Sequence, residues 1–161
     1  MPVGEATSGA IAELVRDMVE TLADSGGIGL AAPQVHVPLR VVIYFVPGSR
    51  TEDGEDVSLR VLINPVIEAL GTFTVVATEG CLSLPGMSGQ VRRPDRIRLT
   101  YSNLEGDMLE EEISGFHARV VQHECDHLDG ILYPMRMDDL STLGYVEEIA
   151  KGEQDLEAGA A

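Results

Sequence analysis

The stretch GFHARVVQHECDHLDG, residues 115–130, decides how the rest of the chain is read. Within it, His123-Glu124-Cys125-Asp126-His127 has the form H-E-x-x-H. Helical residues four apart lie on one face, one turn above each other, so His123 and His127 can direct two ring nitrogens at one metal ion. Glu124, next to the first of them, can reach a water there. A pattern this short also arises by chance, as a polar stripe carrying two ordinary histidines. Its surroundings argue otherwise. Phe116, Val120, His123 and His127 share one face, while Val121, Cys125 and Leu128 lie on another. A helix apolar on more than one side is a buried helix. Two buried histidines and a buried glutamate are costly without partners, and a metal is the simplest partner for all three.

Composition narrows the classes. At 161 residues and 44% hydrophobic content, a single soluble globular domain spanning 1–161 is expected, with an acidic tail from about residue 138. Trp is absent, so the core rests on aliphatic side chains. A net charge of −16 argues against nucleic acid or an anionic membrane as the main partner. Arg92, Arg93, Arg96 and Arg98 alternate with apolar residues and read as a solvated strand face. No apolar run can span a bilayer, and the first residues lack a signal-peptide pattern. Two cysteines are too few for a disulfide scaffold. A cytoplasmic protein is expected.

Along the chain, Ile11, Leu14, Val15, Met18 and Leu22 repeat at helical spacing, giving a helix over 8–23 with Ser8 as N-cap. Residues 27–34, Gly-Ile-Gly-Leu-Ala-Ala-Pro-Gln, are small enough to let backbone approach backbone or ligand closely. No Lys-Ser/Thr follows and no strand precedes, which excludes a phosphate loop. Residues 40–45 read as a buried strand, 49–58 as a solvated, mobile loop, and 59–63 as a strand closed by Asn64-Pro65. Residues 66–70 and 73–77 read as a hairpin about Gly71. Strands follow over 90–101 and 108–113. The His-bearing helix runs from about 115 to 129 and stops at Gly130. A short strand is expected at 131–133, a helix over 143–150 and a frayed end. The fold class is therefore α+β: antiparallel sheets around a central buried helix, with an N-terminal helix.

Two histidines leave a tetrahedral metal short of a third protein ligand. Cys81, Cys125, His36, His117 and the carboxylates are candidates. Cys125 lies about 200° round the helix from His123 and faces away. Cys81, in Glu79-Gly80-Cys81-Leu82-Ser83, has suitable chemistry among small residues, though it could equally be a buried apolar residue. A Cys-His-His set with an open fourth position is a catalytic arrangement, because structural sites fill all four.

Three segments together resemble the peptide deformylase family: GIGLAAPQ at 27–34, EGCLS at 79–83 and QHECDHLDG at 122–130. Leu62-Ile63-Asn64-Pro65 and residues 115–121 are similar to it as well. The resemblance implies removal of the formyl group from the formyl-methionine of new polypeptides. It implies Cys81, His123 and His127 as metal ligands and Glu124 as the catalytic carboxylate. It implies Gln34 and the Leu82 N–H as oxyanion donors. It also implies Fe2+ as the metal in the cell, with Zn2+, Ni2+ or Co2+ substituting. Gly29, Gly80 and Leu82 would then line the peptide cleft, with Ile28, Leu82 and Val120 lining the methionine pocket, although these are also ordinary core residues. Glu79 and Arg93 would brace the cysteine loop as an ion pair. Asp126 reads as packing rather than catalytic.

The chain departs from the family in places. The segment before the first helix is short, His36 stands where glycine is usual, and Ser88 where some members carry a basic residue. The acidic tail is unlike the basic helix with which some members dock on ribosomes, so any transient ribosome contact would be made otherwise. The alternatives are a paralogue hydrolysing another formamide or small acyl-amide, and a non-catalytic metal-binding homologue. Glu124 and Gln34 argue against the latter, which needs neither. A general endopeptidase does not fit a cysteine third ligand.

Overall fold

The computed structural model describes residue 4 and residues 9–159, without the side chains of 153–159. The expected N-cap, Ser8, lies outside the described residues. In chain order the elements are α1 (Gly9–Ser25), β1 (Gly29–Ala31), β2 (Val41–Val46), β3 (Val57–Ala69) and β4 (Thr74–Cys81). There follow β5 (Leu84–Pro94), β6 (Arg96–Ser102), β7 (Met108–Ser114), α2 (Gly115–Leu128), β8 (Gly144–Tyr145) and α3 (Val146–Gly159). The chain forms two compact units, one of residues 1–75 and 93–131, the other of residues 76–92 and 132–161. The α+β class with antiparallel sheets is as the sequence predicts.

In the first unit, β1-β2-β3-β6-β7 form one antiparallel sheet. The apolar run of β2 explains its place. Side chains alternate across a strand, so Val41 and Ile43 pack with Ile11, Val15, Met18 and Leu22 of α1. Val42, Tyr44 and Val46 point the other way and pack with Ala118, Val120, Val121 and Cys125 of α2. A strand covered on both faces reads as a continuous hydrophobic run. Each fully buried aliphatic side chain here contributes on the order of 1.5–3 kcal/mol. The core is not purely aliphatic, since Tyr44 is fully buried as well.

Several predicted boundaries are corrected. Residues 59–63 and 66–69 belong to one strand, β3, with an irregularity between Ile63 and Val66. Asn64 takes φ 52°, a left-handed conformation Asn tolerates, and Pro65, lacking an N–H, sits where the ladder is interrupted. No hairpin forms between 66–70 and 73–77. Val66–Ala69 pairs with β6, and residues 74–77 belong to β4 in the other sheet. The predicted strand over 90–101 breaks at Asp95. Its N–H donates to Phe73 O and its carbonyl accepts from Gly115 N, bonds outside either strand. The predicted loop over 49–58 ends at Asp56, because Val57 and Ser58 already belong to β3, and it is largely exposed but cross-tied. Gly48 N–H donates to Asp56, and the Arg50 guanidinium lies 3.7 Å over the Phe116 ring.

The helix carrying the histidines ends at Leu128, with Asp129 as C-cap. Gly130 then takes φ 72°, and Ile131 N–H closes back on Asp126 O at 2.9 Å. This left-handed exit is one glycine makes at little cost.

In the second unit, β5 pairs with β8 through Met87↔Tyr145 and Ser88↔Gly144, and β4 completes a three-stranded sheet. Residues 131–133 form no strand. Tyr133–Arg136 is a short 3-10 helix with Pro134 in its first turn, where the missing N–H costs nothing. The tail is helical beyond the predicted 143–150, as far as Gly159 in backbone, with Glu147 and Glu148 in the first turn complementing the helix dipole. No described helix is long and apolar enough to cross a membrane.

Candidate metal centre

In the first unit, α2 presents His123 and His127 one turn apart. Their rings meet edge to face with centroids 5.2 Å apart. His127 and Glu124 are buried, and His123 is half-buried. Glu124 lies against β1. A Cβ built on Gly29 would stand 2.4 Å from Glu124 Oε1 and 2.7 Å from its Cδ. Glycine at 29 is therefore the condition for the carboxylate's position, which gives the small-residue run a concrete reason. Gln34, in the short helix after β1, accepts the Ala31 N–H on Oε1 at 2.8 Å. Its oxygen is thus engaged, and the carboxamide is set to act through its NH2 end.

Other side chains anchor the helix. Arg93 donates to Asp126 at 2.8 Å, with both groups buried. This corrects the reading of all four arginines as a solvated face. Arg92 and Arg96 are exposed and Arg98 is half-buried, paired with Asp138, Glu112 and Glu68, whereas Arg93 is 4% exposed. Asp126 is thereby accounted for in packing. Gln122 donates to Pro94 O and Ala118 O, and Arg119 to Val75 O.

The remaining candidates sort by position. Cys125 is buried in the core, where burial pushes its thiol well above the usual range, so it is inert. His117 faces Tyr44, its Nε2 2.9 Å from the hydroxyl. Burial and the Arg60 charge lower its pKa. His36 takes φ 63° at the end of the short helix, the left-handed conformation that suits glycine. Val120 is 5% exposed within the α2 core, and Ile28 is half-buried against that core.

In the second unit, Cys81 ends β4 and the turn of Leu82 and Ser83 leads into β5. Cys81 is half-buried, and its Sγ accepts the Ser83 N–H at 3.4 Å. Leu82 is exposed, and Glu79 is buried one residue before Gly80. A side chain at Gly80 would press on Met87 O at 3.3 Å. The phenol of Tyr133 is raised by burial and by the charges of Cys81 and Glu79.

Cys81, His123 and His127 make a candidate ligand set for one metal ion. One thiolate and two imidazoles suit a borderline divalent metal, and three protein ligands leave a position for chemistry. The Tyr44 hydroxyl was missed in the sequence. The signal was present, since a tyrosine inside a fully apolar strand needs a partner for its hydroxyl.

Comparison with known proteins follows the same lines. The family model described as polypeptide deformylase matches residues 1–142. Peptide deformylase 1 of Nitrosomonas europaea is 50% identical over 141 residues, covering 87% of this chain and 80% of that one. Peptide deformylase 1 of Bordetella pertussis is 47% identical, covering 91% and 84%. Among solved structures, a Met-Ala-Ser-bound class I type b peptide deformylase from Acinetobacter baumannii superposes with a TM-score of 0.77 at 39% identity, covering 84% and 87%.

Proposed function

The chain belongs to the polypeptide deformylase family, and on that premise we propose how its residues share the work. It is a metallo-hydrolase that removes the N-formyl group from nascent peptides. What supports the assignment of roles is the ligand set of Cys81, His123 and His127, with Glu124 on the same helix as two of its members.

Cys81, His123 and His127 hold one divalent ion, Fe2+ in the cell. When bound, the metal supplies the Lewis acidity that makes water a nucleophile at neutral pH. Glu124 accepts the proton of the attacking water. A C–O bond forms at the formyl carbon, and the oxyanion that develops takes hydrogen bonds from the Gln34 NH2 and the Leu82 N–H. Losing one such donor costs on the order of 10²–10³ in rate. As the C–N bond breaks, Glu124 delivers its proton to the departing amine, giving formate and a free N-terminal methionine. Gly29 and Gly80 leave backbone accessible to an extended peptide, Ile28, Leu82 and Val120 receive the methionine, and Glu79 and Arg93 brace the cysteine loop. The whole chain acts as one catalytic domain in the cytoplasm. Any contact with the ribosome is transient and is not made through a basic C-terminal helix.

The test is hydrolysis of formyl-Met-Ala-Ser by protein loaded anaerobically with Fe2+, beside Glu124→Ala. Turnover by the parent, lost in the variant at equal metal content, is expected. An inactive parent at full metal occupancy refutes the reading.

A further inference from the structure

We propose that Tyr44 and His117 are positioning residues for Glu124, a role that rests on the reading of Glu124 as the proton carrier. His117 and Glu124 are seven residues apart on α2. At 100° per residue they lie within about 20° of each other round the helix, roughly 10.5 Å apart along it. Both face the same pair of strands. At one end, His117 Nε2 meets the Tyr44 hydroxyl of β2 at 2.9 Å. At the other, Glu124 packs on the bare backbone of Gly29 in β1. Tyr44 and Gly29 are direct cross-strand partners. The four residues therefore close a circuit: helix to tyrosine, tyrosine across the ladder to glycine, glycine back to the helix.

The two contacts differ in kind. The Gly29 contact limits how closely Glu124 can approach, but steric contact alone does not keep a helix from lifting or sliding. The Tyr44–His117 hydrogen bond is directional and fixes the helix on the same strands two turns earlier. Its own partners are held in turn. Tyr44 is fully buried, and Arg60 of β3, beside it, is paired with Glu111 of β7. The bond is part-buried and the Tyr44 hydroxyl also lies against Arg60, so deleting either partner removes the directional tie between helix and strand, which favours a shift of the helix.

The experiment compares Tyr44→Phe, His117→Leu, the double variant and His117→Gln, whose carboxamide can still bond the hydroxyl. Activity on formyl-Met-Ala-Ser is followed at equal metal content. Separately, the Gly29 amide resonance is followed in 15N spectra without substrate, because that amide reports the carboxylate packed against it. Expected are a fall in kcat of about tenfold in each single variant with KM unchanged, no further loss in the double variant, and displacement of the Gly29 resonance. His117→Gln should return both readouts to within about threefold of the parent. A kcat equal to the parent's in Tyr44→Phe overturns the proposal. So does a change confined to KM, losses that multiply in the double variant, or a Gly29 resonance that stays in place. An inactive parent would instead overturn the deformylase reading, and the resonance shifts would still decide whether the circuit holds Glu124.

Discussion

Gly29→Ala tests the packing of the site with a single methyl group. Gly29 has ordinary backbone angles, so alanine brings no conformational penalty, and the effect is purely steric. The new Cβ would stand 2.4 Å from Glu124 Oε1, 2.7 Å from Cδ and 2.8 Å from Cγ. Ordinary van der Waals contact begins at 3.4 Å, so the carboxylate must retreat by about 1 Å. A misplacement of that size costs about 10² in rate when it falls on a proton-transfer group. The side chain can swing, so the loss of stability stays in the overpacking range of roughly 1–3 kcal/mol. Steady-state formate release from formyl-Met-Ala-Ser, with metal content and denaturant unfolding measured on the same preparation, separates the two effects. Gly9→Ala is the matched control, since nothing lies within 4 Å of its added Cβ. A Gly29→Ala enzyme within threefold of the parent would refute the reasoning. So would a loss of activity explained entirely by lost metal.

Three further outcomes follow from particular residues. His36→Gly relieves a left-handed conformation worth about 1–2 kcal/mol, less the 0.5–1 kcal/mol that glycine adds to the unfolded state's entropy. A gain of up to about 1.5 kcal/mol is expected, or at most some 3–6 °C in Tm by calorimetry. Arg93→Ala leaves Asp126 buried without this partner, and breaking such a pair costs about 3–5 kcal/mol in chemical denaturation. His117 has a pKa lowered by burial and by Arg60. Its neutral form therefore stabilises the fold above the unfolded value near 6.5, and that contribution is lost as pH falls through the lower folded value. Between pH 7.5 and 5, the parent's Tm should fall more steeply than that of His117→Gln, and parallel curves would count against it.

What was legible in the sequence was local. The His-bearing helix, its burial on more than one side, its Gly130 stop and the strand at 40–45 all follow from periodicities of a few residues. What was not legible depended on partners far along the chain. Residues 66–70 and 73–77 looked like a hairpin because they are adjacent and alternate about a glycine, but β3 pairs with β6, some thirty residues on. The break at Asp95 is a change of sheet, which no alternation pattern announces. The burial of Arg93 among exposed arginines is set by Asp126 on another element. At the site, Gly29 and Glu124 carry their residue types openly, yet their contact joins positions 29 and 124, and that closeness is a property of the fold alone.

That separation has a consequence for how the protein is born. Strand β1 and helix α2 both contribute to the site, yet one is among the first elements synthesised and the other the last of its unit. At about 5–20 residues per second, roughly 5–20 s pass between the making of Gly29 and of Glu124. Throughout that interval the strands wait with one apolar face uncovered and no carboxylate to place. On the proposed assignment of ligands, an unfinished chain lacks its second imidazole until His127 has been added.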